Sequence, residues 1–340
     1  MTKVLITGVT GQDGSNMADY LLRETDLEIY GAIRRISTPN YININDALQS
    51  SRFHIVSMDI SDQTSVDNVI STVMPDYCVN FAAQSFVGES WSSPELTIDT
   101  NTMGVLRLLE SIRKYKPSCR FYSAGSSEEF GDVLYSPQDI NHPIRPRSPY
   151  GVSKAAARHI VKVYRESYNI YAIHSILFNH EGKRRGKEFV TRKITNGIAA
   201  IKKSLDRGDI PIPLKLGNIY TYRDWGDSED FVRGVWMMLN TDTPKEYILA
   251  TGESHSVKEF IDIACRYANI PDTRWEGEGS NTCLYSRSHP IMVVDPKLYR
   301  PAEVDILLGD ATPMRELGWK PNISFEDLVH KMVLHDLESV

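Results

Sequence analysis

Hydrophobic residues in the first half of the chain alternate between short continuous runs and stretches at helical spacing. We interpret the continuous runs as buried β-strands: residues 4–7, 28–33, 54–60, 76–85 and 171–177. In the stretches at helical spacing, apolar positions recur every three to four residues, as in Met17, Ala18, Leu21 and Leu22. Because strands that alternate with helices usually pair in parallel, the pattern predicts an α/β fold with a doubly wound parallel sheet.

The pattern changes after about residue 176, and this change divides the chain into two regions. The first region ends with a helix predicted over residues 153–168 and the strand that follows it. The second has proline-rich turns at 211–213 and a polar stretch from 275 to 290. We therefore predict one domain over residues 1–176 and a smaller C-terminal α/β domain over 177–340, with later segments returning to the first.

The first predicted strand is followed at once by a glycine-rich turn. Gly8, Gly11 and Gly14 recur at every third position, and the helical pattern continues directly after them. This layout brings backbone N–H groups and a helix N-terminus against a dinucleotide pyrophosphate, where a Cβ would block the approach. A turn without a ligand is the alternative. The favoured interpretation is a Rossmann-type domain that binds a dinucleotide and opens the chain.

Two arginines follow the second predicted strand. A site for NAD usually carries an acidic residue about twenty positions after the glycines, which binds the ribose 2′-hydroxyl. Arg34 and Arg35 occupy this place instead, and a pair of guanidinium groups suits a 2′-phosphate. The sequence therefore predicts NADP as the cofactor, with a solvated basic strand end as the alternative. Asp59, in the third run, is placed to accept a hydrogen bond from the adenine amino group.

Tyr150 and Lys154 are the candidates for proton transfer. They are one helical turn apart, so a helix here puts both side chains on one face. A neighbouring cation favours the phenolate, so we expect Lys154 to lower the pKa of Tyr150 and make it a base. Ser126 and Glu128, just after a strand-like run, add a hydroxyl and a carboxylate. Taken alone, the Tyr150–Lys154 spacing also fits a surface pair on an amphipathic helix.

Composition argues against several classes of function. The 340 residues carry a net charge of −6, so no basic surface for nucleic acid is indicated. Cys78, Cys119, Cys265 and Cys283 are scattered without metal-ligand spacing, which indicates reduced packing residues in a cytoplasmic protein and no metal site. No apolar run approaches the roughly 18–20 residues that span a membrane. No signal peptide is expected before the first strand.

Longer runs of sequence resemble a known family. The glycine turn, Arg34-Arg35 and the segments 83–85 and 147–151 match short-chain dehydrogenases, and the glycine run is shared by many of them. More specific runs lie at 177–181, 189–194, 223–226, 250–257 and 299–305. With these runs the sequence resembles the GDP-mannose 4,6-dehydratases, a branch of the extended short-chain dehydrogenase/reductase family, from the glycine turn nearly to the C-terminus.

The resemblance implies an NADP-dependent hydro-lyase that converts GDP-α-D-mannose to GDP-4-dehydro-6-deoxy-α-D-mannose and water, the first step towards deoxysugars of the GDP-fucose or GDP-rhamnose type. It implies that hydride moves internally from C4 to C6. Tyr150 would take the proton of the C4 hydroxyl, and Glu128 would remove the C5 hydrogen. Glu128 or Ser126 would protonate the leaving water, and Lys154 would orient the nicotinamide ribose. A simple epimerase or reductase does not need the Glu128 carboxylate, which therefore favours dehydration.

The resemblance also implies two sets of binding residues. Those for NADP are Gly8, Val9, Thr10, Gly11, Gln12, Asp13, Arg34, Arg35, Ser37, Asp59, Ile60, Phe81, Ala82, Ala83, Gln84, Ser85, Lys154, His180 and Arg185. Those for GDP-mannose are Ser85, Asn179, Lys193, Arg223, Arg300 and Glu303. In the second set, Arg223 and Arg300 would neutralise the diphosphate, and Glu303 would accept hydrogen bonds from a ribose.

At several positions the chain departs from the family pattern. Ser126 replaces a threonine, so it keeps the hydroxyl but loses the methyl group that restricts the rotamer. Glu129 and Phe130 replace leucine and tyrosine, and we expect Glu129 to be solvated. Further departures, expected to alter cofactor contacts or sugar specificity, are Asn16, Phe81, Ala82, Phe86 and Leu96.

Other functions and the assembly state stay open on sequence alone. A related nucleotide-sugar dehydratase or a GDP-4-keto-6-deoxymannose reductase has the same fold, but the reductase would consume NADPH in stoichiometric amounts. A non-catalytic NADP-binding sensor would not need Tyr150, Lys154 and Glu128 together. Because members of the family form dimers or tetramers, we expect a homo-oligomer. The long polar segment 37–52 would then reach the cofactor of a neighbouring subunit.

Overall fold

The computed structural model of the chain describes residues 1–299, 304 and 306–339. Its strands are β1 (Lys3–Thr7), β2 (Glu28–Ile33), β3 (Phe53–Ser57), β4 (Tyr77–Asn80), β5 (Arg120–Ala124), β6 (Ala172–Leu177), β7 (Asn179–Glu181), β8 (Leu214–Leu216), β9 (Tyr222–Arg223), β10 (Trp225–Asp227), β11 (Tyr247–Leu249), β12 (His255–Ser256), β13 (Thr273–Glu276), β14 (Cys283–Ser286) and β15 (His289–Val294). Its helices are α1 (Gln12–Glu24), α2 (Gln63–Val73), α3 (Pro94–Ile98), α4 (Gly104–Tyr115), α5 (Pro149–Tyr168), α6 (Val190–Asp206), α7 (Ser228–Leu239), α8 (Val257–Tyr267), α9 (Thr312–Glu316) and α10 (Phe325–Ser339).

A parallel sheet is the centre of the fold. Within the described residues it has seven strands in the order β11-β6-β5-β4-β1-β2-β3. The strand order reverses between β1 and β4, and open α/β sheets bind ligands at the carboxyl ends of the strands beside such a reversal. The doubly wound α/β fold predicted from the sequence is therefore confirmed.

Helices cover both faces of this sheet because each buried strand is apolar on both sides. Val4 and Ile6 of β1 pack in the cluster that contains Met17 of α1 and Val235 of α7. Leu5, between them in sequence, points to the opposite face and packs in the cluster formed by α2, α4 and α5. The continuous apolar runs in the sequence are thus explained by burial on two faces.

The C-terminal part of the chain has a core of its own. A four-stranded sheet among the described residues runs β13-β14-β15-β8, and a third cluster joins it to α6, α8 and α10 through residues such as Ile198, Phe260 and Met332. Two short pairs, β7–β10 and β9–β12, lie in the same half of the sequence. Strand β11 pairs with β6, so the chain returns to the main sheet. None of the described helices combines the length and apolarity that a bilayer crossing requires.

Several element boundaries differ from those expected. Helix α5 begins at Pro149, earlier than the predicted residue 153, because Ser148 caps it and proline is favoured in the first turn. Strand β4 ends at Asn80, well before residue 85, since the amide of Ala82 donates to Thr7 Oγ1 at 3.0 Å instead of continuing the ladder. The segment 37–52 contains the short 3₁₀ turns Ile42–Ile44 and Ala47–Gln49.

Candidate active site

The glycine-rich turn between β1 and α1 has the shape that a bound phosphate requires. Gly8 has a φ of +65°, and a Cβ there would lie 2.8 Å from the backbone nitrogen of Ala82. A Cβ on Gly14 would collide with the carbonyl oxygen of Gly8. Because the N-cap residue Gly11 has no side chain, the first N–H groups of α1 are not covered by a side-chain cap. The turn therefore fits an anion held at a helix N-terminus.

Asp13 and His180 form an ion pair beside this turn. Asp13 Oδ2 lies 2.9 Å from His180 Nε2, and His180 Nδ1 lies 2.7 Å from the carbonyl oxygen of Phe178. Burial lowers the pKa of His180, but the charge of Asp13 and the hydrogen bond to it outweigh burial and raise that pKa overall. Burial likewise raises the pKa of Asp13, and His180 more than offsets this. Each member therefore favours the charged form of the other at the place expected for the pyrophosphate.

The residues predicted to recognise the adenosine lie at the carboxyl ends of β2 and β3. Arg34, Arg35 and Ser37 are exposed there. A hydrogen bond from Ser61 lowers the pKa of Asp59, burial opposes this, and the charge of Arg34 lowers the pKa further. Ile60 is buried and lies so close to Gly104 of α4 that a Cβ there would be 2.8 Å from Ile60 Cγ1. The two arginines are therefore open to solvent and to a ligand phosphate.

The segment that follows β4, residues 81–85, is fixed by hydrogen bonds to Asn101, a residue that was not predicted to belong to the site. The amide of Gln84 donates to Asn101 Oδ1 at 2.9 Å, and Asn101 Nδ2 donates to Gln84 O and to Ser153 Oγ, each at 3.0 Å. Asn101 lies in a π-helical turn, Asp99–Met103. Such turns occur frequently at functional sites, but no motif in the sequence marks this one.

A capped 3₁₀ turn presents Glu128 after β5. Ser126 precedes the turn Ser127–Glu129, and its Oγ accepts a hydrogen bond from the amide of Glu128 at 3.2 Å. The start of α5 lies against this turn, because a Cβ on Gly151 would be 2.6 Å from the carbonyl oxygen of Glu128. Ser126, Glu128 and the first turn of α5 are thus held together by backbone packing as well as by hydrogen bonds.

Tyr150 and Lys154 are both buried on one face of α5. Lys154 Nζ lies 5.8 Å from the centre of the Tyr150 ring and donates to the carbonyl oxygen of Ala124 at 2.7 Å. Burial raises the pKa of Tyr150 to about 12, although a hydrogen bond with Ser126 opposes the shift. This direction is opposite to the one expected from the Tyr150–Lys154 spacing. Burial also lowers the pKa of Lys154 to about 8, while the charges of Glu129 and Asp13 oppose that shift.

The expectation that Glu129 is solvated is wrong. Its side chain is fully buried, and its Oε1 accepts a hydrogen bond from the amide of Ser126 at 2.9 Å. The same oxygen lies 2.9 Å from Nε2 of His174, which is also fully buried and lies on β6. The partner is distant in sequence, so the run Ser126–Phe130 carries no sign of it.

A cleft of about 590 Å³ brings most of the predicted catalytic and sugar-binding residues together. The predicted residues that line it are Asp13, Phe81, Ala83, Ser85, Ser126, Glu128, Tyr150, Lys154, Asn179, His180, Arg185, Lys193 and Arg223. The volume is within the range of small-molecule sites. The residues predicted for the adenosine do not line the cleft. They lie at the carboxyl ends of β2 and β3 and are Arg34, Arg35, Ser37, Asp59 and Ile60. Arg300 and Glu303 lie outside the described residues.

The lining of the cleft also includes residues predicted for the nucleotide sugar. Asn179 begins β7, and its buried Oδ1 has no hydrogen-bond partner in the described part of the chain. Arg223, on β9, is buried and donates to the carbonyl oxygen of Tyr222 at 2.8 Å. Burial lowers the pKa of Lys193, and the charge of Asp295 opposes this. A buried acceptor and two cations therefore face the same space.

The departures from the family pattern fall on different parts of the structure. Phe86 lines the cleft and packs edge-on against Phe189, with ring centres 5.6 Å apart, and the Arg185 guanidinium lies 3.5 Å from the Phe189 ring centre. Asn16 instead donates to Ser228 Oγ on α7, and Leu96 is exposed. Phe189 was not predicted as a wall residue, although it begins the family run 189–194. Trp91 and Asn218, which also line the cleft, lie outside every such run.

No group of three or more histidine, cysteine, aspartate or glutamate side chains in the described residues is arranged to hold a metal ion.

Comparison with known sequences gives full-length matches. A family model described as GDP-mannose 4,6 dehydratase matches residues 5–332. A relative from Drosophila melanogaster, named GDP-mannose 4,6 dehydratase, is 42% identical over 346 residues, which cover 98% of this chain and 86% of the relative.

Comparison with solved structures gives the same fold at lower sequence identity. A dTDP-glucose 4,6-dehydratase from Streptomyces venezuelae, with NAD bound, has a TM-score of 0.82 at 22% identity, covering 99% of this chain and 97% of that one. A protein named RMD from Pseudomonas aeruginosa, complexed with NADPH, has a TM-score of 0.78 at 20% identity, covering 100% of both chains.

Proposed function

The chain belongs to the GDP-mannose 4,6-dehydratase family, and on this premise we propose that it is a hydro-lyase converting GDP-α-D-mannose to GDP-4-dehydro-6-deoxy-α-D-mannose and water. The observation that carries the proposal is the presence of Tyr150, Ser126 and Glu128 in the lining of one cleft. Oxidation at C4 alone needs only the tyrosine as a base. The additional carboxylate supplies what the loss of water requires.

The protons of the reaction are assigned to three side chains. Tyr150 takes the proton of the C4 hydroxyl, and its buried hydrogen bond with Ser126 stabilises the phenolate that forms. A ketone at C4 acidifies the C5 hydrogen, which Glu128 removes as a proton. The C6 oxygen leaves as water with a proton from Glu128 or Ser126, and C5 then regains a proton. The proton lost from the C4 hydroxyl balances the proton regained at C5, so the net change is the loss of one water.

We assign the cofactor site to NADP. When bound, NADP supplies the acceptor and donor for the hydride that leaves C4 and returns to C6. The close approach at Gly8 and the uncovered N-terminus of α1 fit its pyrophosphate. The exposed Arg34 and Arg35 suit its 2′-phosphate, and Lys154 orients its nicotinamide ribose. The solved structures with NAD or NADPH bound support a nicotinamide cofactor in this fold.

The nucleotide sugar is assigned to the part of the cleft lined by β7, α6 and β9. Arg223 and Lys193 place positive charge in the cleft for a diphosphate, and the buried Asn179 Oδ1 is available to a hydroxyl donor. Ser85 lies where the cofactor and sugar sites meet. Arg300 and Glu303 belong to this set on family resemblance alone.

We further propose the organisation and setting of the enzyme. Residues 1–176 form the NADP-binding domain, to which β11 returns, and residues 177–340 form the nucleotide-sugar domain. The scattered cysteines favour a reducing compartment such as the cytoplasm. Apolar side chains exposed on α5 favour a homo-oligomer, a dimer or a tetramer.

An incubation of the purified protein with GDP-mannose and a catalytic amount of NADP⁺, followed by mass spectrometry, tests the proposal. The expected product is lighter by one water, and no NADPH accumulates. Stoichiometric consumption of NADPH on GDP-4-keto-6-deoxymannose would instead identify a reductase. Unchanged GDP-mannose alongside turnover of another nucleotide sugar would contradict the substrate assignment.

A further inference from the structure

Directly behind the catalytic turn lies a buried pair of ionisable side chains to which the reaction above assigns no role. Glu129 and His174 are both fully buried, and the Glu129 carboxylate lies 2.9 Å from His174 Nε2. The other ring nitrogen, Nδ1, lies 3.3 Å from Ser123 Oγ on β5. Burying a carboxylate costs free energy unless it is paired and hydrogen-bonded. A buried pair at this place therefore indicates a role in the site.

The pair is connected directly to the residues that move protons. Glu129 Oε1 accepts the amide of Ser126, while Ser126 Oγ accepts the amide of Glu128. These reciprocal hydrogen bonds form a capping box that fixes both ends of the short turn. The direction in which Glu128 enters the cleft therefore depends on Glu129.

The backbone between the pair and the cleft is adapted to this contact. A Cβ on Gly125 would collide with His174 Nε2, and it would lie 2.6 Å from Glu129 Oε1. The amide of Gly125 donates to Ser175 O at 2.8 Å, and the preceding carbonyl, Ala124 O, accepts from Lys154 Nζ. A glycine at this position allows the Glu129–His174 contact and the Lys154 anchor to lie on either side of one strand end.

Charge also connects the pair to the catalytic lysine. Burial lowers the pKa of Lys154 to about 8, and the charge of Glu129 is the first effect that opposes this, followed by Asp13. The same charge raises the pKa of Tyr150 and of Arg158. Arg158 is itself paired with Glu246, whose pKa His174 lowers in turn. The ionisable groups that interact with Glu129 are thus its partner His174 on β6 and, through its charge, Tyr150, Lys154 and Arg158 on α5.

We propose that Glu129 is a positioning residue for the dehydratase: oriented by His174, it holds the Ser126–Glu128 turn in place and puts a negative charge beside the strand end that anchors Lys154. The inference rests on the proposed function. The two parts of the proposal can be tested separately. Holding the turn requires an acceptor for the Ser126 amide, whereas the effect on Lys154 requires a negative charge. A glutamine at position 129 keeps the acceptor and removes the charge, whereas a leucine removes both.

The experiment compares Glu129→Gln and Glu129→Leu with the wild-type chain over a range of pH. Glu129→Leu is expected to lower kcat by about 10²-fold, since small misplacements of catalytic groups cost that much, with KM nearly unchanged. Glu129→Gln is expected to keep kcat close to wild type at its own optimum, but the alkaline limb of its kcat profile moves to lower pH. His174→Gln is expected to lower kcat in the same direction as Glu129→Leu.

A second readout does not depend on turnover. The titration of Lys154, followed by NMR of ¹³C-labelled lysine and assigned with Lys154→Met, is expected to have a lower midpoint in Glu129→Gln than in the wild-type chain. Asp230→Asn is the matched control: Asp230 is also buried and accepts the amides of Asn322 and Ile323, but it does not line the cleft. Its substitution should leave kcat and the Lys154 midpoint unchanged.

The outcomes distinguish this inference from the function on which it rests. A wild-type chain that does not dehydrate GDP-mannose contradicts the proposed function, whatever the variants do. An active wild-type chain with an equally active Glu129→Leu overturns the positioning role. An unchanged Lys154 midpoint and alkaline limb in Glu129→Gln overturn the electrostatic part. If the leucine variant does not fold, Glu129→Gln and His174→Gln decide both parts.

Discussion

In the proposed mechanism, Glu128 is the side chain that separates elimination from simple oxidation at C4. Glu128→Gln keeps the size and the hydrogen-bonded turn but cannot take the C5 proton. We expect kcat for the dehydrated product to fall by about 10²–10⁴-fold, the usual contribution of a placed acid or base, with little change in KM. Mass spectrometry of the product measures this. Glu166→Gln, an exposed change on α5, should have no effect, and a fully active Glu128→Gln would exclude the acid–base role.

The burial of Lys154, a proposed catalytic residue, lowers the stability of the folded chain. Its pKa is lowered from 10.5 to about 8, so between these values the unfolded chain holds a proton that the folded chain has lost. Stability therefore rises with pH across this window, and below about pH 8 the full cost of the buried charge is present. At about 1.4 kcal/mol for each pKa unit, that cost is roughly 3 kcal/mol.

Lys154→Met removes this buried charge and keeps most of the apolar volume. We expect the variant to be inactive yet more stable by up to about 3 kcal/mol at neutral pH, with an advantage that vanishes above pH 10. Urea denaturation at both pH values measures the difference. Lys162→Met, at an exposed position on the same helix, is the control and should change neither property. A Lys154→Met variant less stable than wild type at neutral pH would contradict the sign.

We propose that Arg34 and Arg35 determine which nicotinamide cofactor is preferred. Hydrogen bonds to charged groups contribute about 1.5–3 kcal/mol each, and each 1.4 kcal/mol is about a factor of ten in affinity. Replacing both by serine is expected to weaken NADP⁺ binding by about 10²- to 10⁴-fold and to leave NAD⁺ binding unchanged, as measured by calorimetry. Arg23→Ser removes an exposed arginine elsewhere and should change neither affinity. Equal losses for both cofactors would contradict contact with the 2′-phosphate.

At the scale of elements, the N-terminus of α5 links helix stability to catalysis. Ser148 Oγ accepts the amide of Gly151 at 3.0 Å, and Tyr150 lies in this first turn. Ser148→Ala is expected to cost about 1 kcal/mol of stability and to lower kcat as well, because the turn that carries the tyrosine loosens. Ser324→Ala removes the equivalent bond to the amide of Asp327 before α10. The control should lose similar stability, measured by thermal denaturation, and keep kcat; equal kcat values for the two variants would exclude the link.

Local sequence signals predicted the elements that local interactions determine. The strand, the glycine turn and α1 follow from adjacent residues, and so does the Tyr150–Lys154 face of α5. The sequence also contains a signal for the early start of α5, a serine cap followed by proline. The prediction relied on the apolar spacing, which does not show this start. The end of β4 could not be predicted, since it depends on Thr7, a residue of another strand.

The site was predictable where a motif carries the chemistry and unpredictable where tertiary contacts set it. Glu129 was expected in solvent, but its carboxylate is buried with a partner, as a carboxylate in a core requires. Its partner, His174, comes from β6 and is recognisable only once β5 and β6 are paired. The same holds for the pKa of Tyr150. The spacing indicated that a nearby cation would lower this pKa. Burial raises it instead, and spacing in the sequence does not reveal burial.

At the scale of the whole molecule, the cleft combines two kinds of structure. The proposed cofactor site and proton-transfer groups lie at the carboxyl ends of the main sheet, in a layout shared by many dehydrogenases. The wall with Asn179, Lys193 and Arg223 is built from β7, α6 and β9, where the sequence resembles the GDP-mannose branch. We therefore expect substrate choice to depend on β7, α6 and β9, and the oxidation chemistry to depend on the ends of the main sheet.

Apolar side chains exposed on α5 form a stripe that a second copy of the chain could cover. Val152 is 45% exposed and Val163 is 53% exposed, and their separation of three helical turns places them on one face. Homo-oligomers with twofold symmetry bury the same patch on both subunits, so one substitution acts twice at such an interface.

Val163→Asp is therefore expected to convert the proposed oligomer to smaller species, because each interface would bury two carboxylates that repel each other. Sedimentation velocity of the wild-type chain and the variant measures this. Ile212→Asp places the same charge on a residue that is 87% exposed in the loop before β8, and it should leave the assembly unchanged. A wild-type chain that sediments as a monomer, or a Val163→Asp variant that assembles normally, would exclude α5 as the interface.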